Sequence, residues 1–265
     1  MPSVIRDLES RSDYDQCVRL QRATWGEHFL ELVPPALLTV AQKVGGLCIG
    51  AFDESTLVGF VFGLTGLKDG EPVHWSHMLA VRDDHRDRGI GKSLKQRQRE
   101  RLEAMGVRTV FWTFDPLVSR NAHLNLHRLG ARAIAYVPDM YGNDPMSTTD
   151  EVIGSDRLVV EWSLGALDSG TSQATAAGIE TELAPSRLWS PTEPSETCSL
   201  PPTGSVSVSI PGDIQQLKRD SPDTAHRWRQ ATRRVFQHYL QRNYVIAGFE
   251  RADEGGGAYL LEPHG

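Results

Sequence analysis

The sequence predicts an α/β protein of the α+β kind, a mixed central sheet flanked by helices and followed by a small C-terminal α/β unit. Three observations predict it. From Val4 to Trp162, alternating apolar and polar runs, the mark of strands, interleave with runs of helical period. A strand ending at Val81 passes through a polar turn into a helix opened by Gly89 and Gly91. After Trp162 the composition changes, and helix and strand signals resume only at Val206.

The elements follow in order. Val4 to Leu8 forms a short strand, and Asp13 to Thr24 a helix with Ser12 or Asp13 placed to cap its exposed amides. A second helix starts at Pro34-Pro35, where proline fits the first turn, runs through Leu37, Leu38, Val40 and Ala41, and stops at Gly45-Gly46. Leu47 to Phe52 and Leu57 to Leu64 are β-rich runs joined as a hairpin by Asp53-Glu54-Ser55-Thr56. Val73 to Val81 is the fourth strand; strict alternation puts Val73, Trp75, His77, Leu79 and Val81 on one face and His74 on the other. Gly91 to Met105 is a helix ended by Gly106, and Thr109 to Phe114 is an apolar strand suited to a sheet centre. Ser119 to Leu129 is a short helix, and Ala131 to Val137 and Leu158 to Trp162 complete the strands. The order is β-α-α-β-β-β-α-β-α-β-β.

From Gly165 to Gly204 the chain is dominated by Ser, Thr, Pro, Ala, Gly and Glu, far longer than the ~12–15 residues usual for a loop within a domain. It reads as a linker, with Leu183, Leu188 and Trp189 able to dock on a neighbouring surface. The expected organisation is a domain over 1–164, a linker over 165–204 and a C-terminal β-α-β-β unit over 205–265. In that unit Val206 to Ile210 alternates as a strand, Ser221-Pro222-Asp223 starts a helix, and Trp228, Ala231, Val235, Phe236, Tyr239 and Leu240 keep helical spacing. Tyr244 to Phe249 and Ala258 to Leu261 pair as strands. A unit of this size is marginal alone, so it is expected to pack on the first domain or on another subunit. Arg227, Arg229, Arg233 and Arg234 give its helix a basic face, read as solvated or as meeting an acidic partner surface.

The 265 residues include 28 Lys+Arg against 34 Asp+Glu, a formal charge of −6 that gives no global reason to expect nucleic acid or an anionic membrane. Any anion site must be local. Cys17, Cys48 and Cys198 cannot make a disulfide framework, and none is spaced with Cys or His as a metal ligand set. With no secretory leader pattern and no run approaching ~20 apolar residues, a soluble cytoplasmic protein without metal is expected.

Chemistry concentrates in Leu79-Ala80-Val81-Arg82-Asp83-Asp84-His85-Arg86-Asp87-Arg88-Gly89-Ile90-Gly91-Lys92-Ser93. A strand, a polar turn and a glycine-opened helix leave consecutive amides aimed at one place, where the helix dipole also favours negative charge. Side chains at positions 89 and 91 would hold a pyrophosphate off the backbone, and Arg86, Arg88 and Lys92 supply positive charge. A P-loop would need its first glycine at Arg86, and a dinucleotide fingerprint would need a glycine at Leu94, so neither fits. Arg-x-x-Gly-x-Gly remains, as Arg86-Asp87-Arg88-Gly89-Ile90-Gly91.

Motif and element order together, over roughly Val4 to Trp162, resemble the GNAT family of acyl-CoA N-acyltransferases. The resemblance implies a sheet whose fourth and fifth strands splay so that pantetheine lies between them. It implies that the amides of Arg88, Gly89, Ile90, Gly91 and Lys92 hold the pyrophosphate of acetyl-CoA or another acyl-CoA beside Arg86, and that Leu79 and Val81 line the pantetheine path. A backbone N–H at the fourth-strand bulge, around Leu79 or Ala80, would polarise the thioester carbonyl.

For the general base, His77 leads, because imidazole titrates near neutral pH; a histidine with a structural hydrogen bond is the competing reading. Asp115 could take a proton through water or simply shape the turn before Pro116. Many members carry a tyrosine acid four residues before the glycine ending the fourth helix, and here Leu126 stands four before Gly130. Asn121 and Asn125 could hydrogen-bond pantetheine or substrate, Asn121 could instead cap the helix, and Tyr136 or Tyr141 could reach in. Phe236 to Tyr244 is similar to the last helix of a GNAT domain, with Tyr239 at the tyrosine position and Asn243 for the glycine; Tyr239 is a catalytic candidate or a core residue. This half has no Arg-x-x-Gly-x-Gly and would be a degenerate partial repeat that binds no CoA itself.

The implied activity is acyl transfer to an amine in a ternary complex, with a small-molecule or peptide acceptor and a homo-oligomer as an option. The alternative is an acyl-CoA-binding sensor or scaffold without turnover, which the missing tyrosine favours. The acceptor pocket is expected in Gly26 to Pro35, Lys68 to Pro72 and Pro138 to Asp150.

Overall fold

A computed structural model describes residues 3–27, 29, 31–142, 153–165, 186–187, 200–201, 203–252 and 256–264. The chain packs as two compact units. One comprises the described residues up to Trp112 with 162–165, the other 113–142, 153–161 and the described residues beyond 165. Leu183, Leu188, Trp189 and Cys198 lie outside the described residues.

In the first unit, β1 (Val4–Asp7), β2 (Leu47–Asp53), β3 (Thr56–Lys68), β4 (Glu71–Val81) and β5 (Thr109–Phe114) lie side by side in chain order. All neighbours are antiparallel except β4 and β5, which run parallel. Lys68 and Glu71, expected in a loop, instead close the β3–β4 hairpin around Asp69-Gly70, whose φ values of 55° and 84° suit a two-residue turn. Helices α1 (Arg11–Trp25) and α2 (Pro35–Lys43) pack an apolar face, including Cys17, Leu20 and Leu38, on Phe60, Phe62, Met78 and Ala80. The α1 cap is Ser10, not Ser12 or Asp13: Asp13 N–H donates to Ser10 Oγ at 3.1 Å, and Ser10 N–H donates back to the Asp13 carboxylate at 3.2 Å.

Helix α3 (Ile90–Ala104) crosses the other sheet face through Ile90, Leu94 and Leu102. A Cβ on Gly63 would stand 2.3 Å from the His74 ring, so this glycine makes room for a buried histidine.

The second unit holds α4 (Ser119–Ala122), which passes directly into a π-helical turn, His123–Arg128. The single helix expected over 119–129 therefore changes hydrogen-bond register after one turn. Strand β6 (Arg132–Val137) pairs antiparallel with β7 (Arg157–Ser163). A second sheet runs in the order β10 (Tyr244–Arg251), β11 (Gly257–Pro263), β9 (Val206–Ile210), β8 (Ser186–Arg187). Strand β8 falls inside the segment read as a linker. Short α5 (Ile214–Asp220), capped by Asp213, was not expected and precedes the long α6 (Pro222–Leu240). Trp228, Ala231, Val235, Phe236 and Tyr239 of α6 are buried as their spacing predicts. Arg229 is buried with them at 0% exposure, so the α6 arginines are not one solvated face.

Candidate functional site

The turn between β4 and α3 is built by short-range charge pairs. Asp83–His85 form one 3₁₀ turn; Arg82 pairs with Asp84 at 2.8 Å, His85 with Asp84 at 2.8 Å, and Arg86 with Asp83 at 2.5 Å. Arg86 also donates to the Val81 carbonyl at 3.3 Å, so its guanidinium braces the turn. Arg88 and Lys92 are exposed and make no ion pair among the described residues.

Gly89 is the N-cap residue of α3, with φ 78° in the left-handed region, and no side chain caps the helix. The first intrahelical bond runs from Ser93 N–H to Gly89 O at 3.0 Å, which leaves the amides of Gly89, Ile90, Gly91 and Lys92 as the unpaired first turn. A Cβ at Gly89 would meet nothing within 4 Å, and one at Gly91 only Leu79 Cδ2 at 4.0 Å. The space in front of these amides is open, as a pyrophosphate would require.

The path leading to the turn is the free edge of β4. Its ladder with β5 covers only Val73↔Thr109, His74↔Val110 and Trp75↔Phe111, and no pairing with β5 continues from Ser76 to Val81 among the described residues. This is the expected splay, and among the described residues it leaves β4 from Ser76 to Val81 unpaired with β5 on the side that leads to the turn.

Strict alternation along β4 fails at one residue. Phe62 pairs with Met78 and Gly63 with Ser76, so His77 is the extra residue of a β-bulge. The bulge lies at His77 instead of around Leu79 or Ala80. Cross-strand partners share a face, so Leu79, opposite Val61, lies with Ser76 and His74 on the α3 side, whereas Trp75, opposite Leu64, lies with Met78 and Ala80. The His77 ring stands edge-on to Phe62, centroids 6.1 Å apart, on the α1/α2 side. His77 therefore does not share a face with Leu79 and Val81, because the inserted residue reverses the alternation. It has no hydrogen-bond partner among the described residues, and burial lowers its pKa below the ordinary imidazole value.

Sequence reasoning missed a polar chain beneath β4. Lys95, 2% exposed, donates to Ser76 Oγ at 2.8 Å and Gln98 Oε1 at 3.2 Å, with Nζ 4.0 Å from the Trp112 ring centre. The Gln98 amide donates to His74 Nε2 at 3.1 Å, which places the imidazole proton on Nδ1, 3.0 Å from Thr65 Oγ1; Thr65 donates on to the Gly45 carbonyl at 2.6 Å. Burial pushes Lys95 down to about 7, and burial with Lys95 nearby pushes His74 down to about 3.

The remaining candidates lie in the second unit. Asp115 accepts from Arg229 at 2.7 Å on one carboxylate oxygen and from the Leu117 N–H at 2.8 Å on the other. Burial raises the pKa of this carboxyl, but Arg229, with Arg157 and the Leu117 N–H, holds it below its ordinary value. Asn121 is half-buried in α4, whose N-cap is Val118, so it does not cap; Asn125 is 5% exposed in the π turn beside Leu126. The Tyr136 hydroxyl is tied to Asp156, which with burial raises its pKa. Tyr239 is 1% exposed and donates to the Pro201 carbonyl at 2.8 Å. Tyr141 is partly exposed, its hydroxyl 3.0 Å from Thr113 Oγ1.

Among the described residues no group of three or more His, Cys, Asp or Glu side chains could hold a metal ion, and no helix is long and apolar enough to cross a membrane.

Residues 14–131 match the model of the acetyltransferase (GNAT) family. Curated protein sequences give no match. Among solved structures, the NatC complex bound to Gag peptide and CoA aligns with TM-score 0.50 and 16% identity over 62% of this chain and 99% of that one. Arabidopsis thaliana NAA60 with a bisubstrate analogue aligns with TM-score 0.49 and 16% identity over 62% and 98%. The ribosomal-protein-S18-alanine N-acetyltransferase from Escherichia coli aligns with TM-score 0.47 and 16% identity over 64% and 98%. At such identities the likeness is one of fold.

Proposed function

We propose, from the match of residues 14–131 to the model of the acetyltransferase (GNAT) family, that the protein is an acyl-CoA-dependent N-acyltransferase, with acetyl-CoA as donor. The observation that carries the reading is the uncapped, glycine-opened N-terminus of α3 facing open space at the end of a splayed β4. An acyl-CoA supplies an activated thioester. The amides of Arg88 to Lys92 bind its pyrophosphate, the Arg88 and Lys92 side chains add positive charge, and Arg86 fixes the turn. Leu79, Ala80 and Val81 line the pantetheine arm, and Asn121 and Asn125 are assigned to it by the family resemblance.

His77 is the residue proposed to take the proton of the acceptor amine. Its lowered pKa keeps the imidazole neutral at pH 7, and both ring nitrogens are free of protein partners among the described residues. Asp115 is proposed as an anchor for Arg229 and not as a base, and Tyr239 as a core residue of its unit. The acceptor is a small-molecule or peptide amine.

One observation favours a second reading: Leu126 occupies the position where many family members carry a phenol, so an acyl-CoA sensor or scaffold without turnover remains the competitor. Release of free thiol from acetyl-CoA with a panel of amines separates the two. Tight CoA binding without turnover on any amine would overturn the enzyme reading and leave the sensor.

A further inference from the structure

Two residues of β4 compete for one place opposite β3. Phe62 pairs with Met78 and Leu64 with Trp75, and between these pairs Gly63 faces a segment of two residues, Ser76 and His77. Both flanking pairs are kept whichever of the two stands opposite Gly63, so the β3–β4 register alone does not decide which becomes the extra residue of the bulge. Gly63 has no side chain with which to choose. Strand β5 does not choose either, because its ladder with β4 ends at Trp75↔Phe111.

The choice is made from α3. Ser76, opposite Gly63, meets that helix, where Lys95 donates to its Oγ at 2.8 Å and the hydroxyl donates to Gln98 Oε1 at 3.1 Å. Gln98 also donates to His74 Nε2 at 3.1 Å, so one side chain holds β4 at two positions, once within the β5 ladder and once just beyond it. These groups are interior: Gln98 and His74 are 0% exposed, Lys95 2% and Ser76 5%. Buried polar groups lose their partners only at the cost of their desolvation, which weighs against the other bulge, the one with His77 opposite Gly63 and Ser76 as the extra residue. With Ser76 held, His77 is turned to the other face, its ring centre 6.1 Å from that of Phe62.

We propose that Gln98, with Lys95, is a positioning residue for His77: by holding Ser76 it selects the bulge that presents the imidazole on the α1/α2 side. A slip of one residue in a strand exchanges the faces of its side chains, so the grip on Ser76 sets the side from which His77 can be reached. The consequence for turnover rests on His77 being the base proposed above. A reacting group is only as well placed as the hydrogen bonds that support it, and here the support comes from the helix whose first turn opens at Gly89.

The test uses the full chain with isotope-labelled histidine and phenylalanine, NMR contacts between the His77 and Phe62 rings, and steady-state kinetics with acetyl-CoA and the amine on which the wild type turns over best. Gln98→Leu should give His77 a second set of ring signals that lack the Phe62 contact. It should lower kcat by about tenfold, the scale of loss when a reacting group is displaced, with little change in KM for acetyl-CoA. Ser76→Ala, which leaves Lys95 bonded to Gln98 at 3.2 Å, should act in the same direction and carries the test if Gln98→Leu does not fold. Ser76→Thr restores the hydroxyl and should recover the single set of signals and most of the turnover. Variants that fold and keep the wild-type contact between His77 and Phe62 overturn the positioning role alone. Loss of that contact with full turnover overturns His77 as the base, and with it the catalytic consequence of the positioning. A wild type that acylates no amine overturns the enzyme reading, while the ring contact in the variants still decides what selects the bulge.

Discussion

Lys95 stands with its Nζ 4.0 Å above the ring centre of Trp112, sealed under β4 with no carboxylate partner among the described residues. Burial lowers its pKa from the ordinary 10.5 to about 7. Between those two values the unfolded chain carries a proton that the folded chain lacks, so stability should rise with pH across that window and level off below about 7. The slope approaches about 1.4 kcal/mol per pH unit. His74, the other titratable group on this chain, stays neutral throughout, since it titrates near 3. In Lys95→Met the rise should vanish, with Ser76 still bonded to Gln98. Urea unfolding of both proteins at pH 7, 8 and 9 measures it; parallel profiles would show that Lys95 stays charged.

Gly91 lies in the first turn of α3 with ordinary helical backbone, and the protein leaves room for a Cβ there. Glycine in a helix is about 1 kcal/mol less favourable than alanine. Gly91→Ala should therefore leave unfolding stability unchanged or raise it by up to ~1 kcal/mol while weakening CoA binding. Gly89→Glu, which adds bulk and negative charge at φ 78°, should abolish CoA-induced thermal stabilisation. CoA stabilising Gly89→Glu as much as the wild type would remove this turn as the pyrophosphate site.

His77 should matter to turnover more than to affinity. Its pKa lies below the ordinary 6.5, so the neutral base form persists to mildly acid pH, and the acid limb of kcat/KM should fall below pH 6.5. His77→Ala should lower kcat by a factor on the order of 10² while CoA affinity changes little. Full turnover in this variant would exclude His77 as the base.

The β4–turn–α3 segment was legible because each step has a sequence mark: alternation to Val81, a charged turn, then glycines where a left-handed residue and open amides are needed. The bulge at His77 leaves no such mark. An inserted residue keeps the apparent period of two while exchanging the faces beyond it, so His77 read as a neighbour of Leu79. The buried cations were hidden differently. Lys95 falls in phase with Gln98 and Leu102, and Arg229 with Thr232 and Phe236, at spacings of three and seven that put each on the buried stripe of its helix. That phase was the available signal. The counter-charge of Arg229, Asp115, lies 114 residues away, and Lys95 has no counter-charge among the described residues, so charge alone suggested solvent.

The Arg229–Asp115 pair should be costly to break and cheaper to remove. Arg229→Met leaves a carboxylate whose side chain is 11% exposed without its counter-charge, and losing one partner of such a pair typically destabilises by about 3–5 kcal/mol. Asp115→Leu strands the guanidinium in the same way. The double variant removes both charges, so its loss should be well below the sum of the single losses, a coupling visible in a denaturant double-mutant cycle. The pH dependence has a definite sign. Arg229 holds the Asp115 pKa below its unfolded value of about 3.9, so the pair contributes fully above that pH and its contribution fades as the solution is acidified. Acid unfolding of the wild type should therefore be steeper below pH 4 than that of the double variant. Additive single losses, with matching acid profiles, would mean that the two side chains act independently.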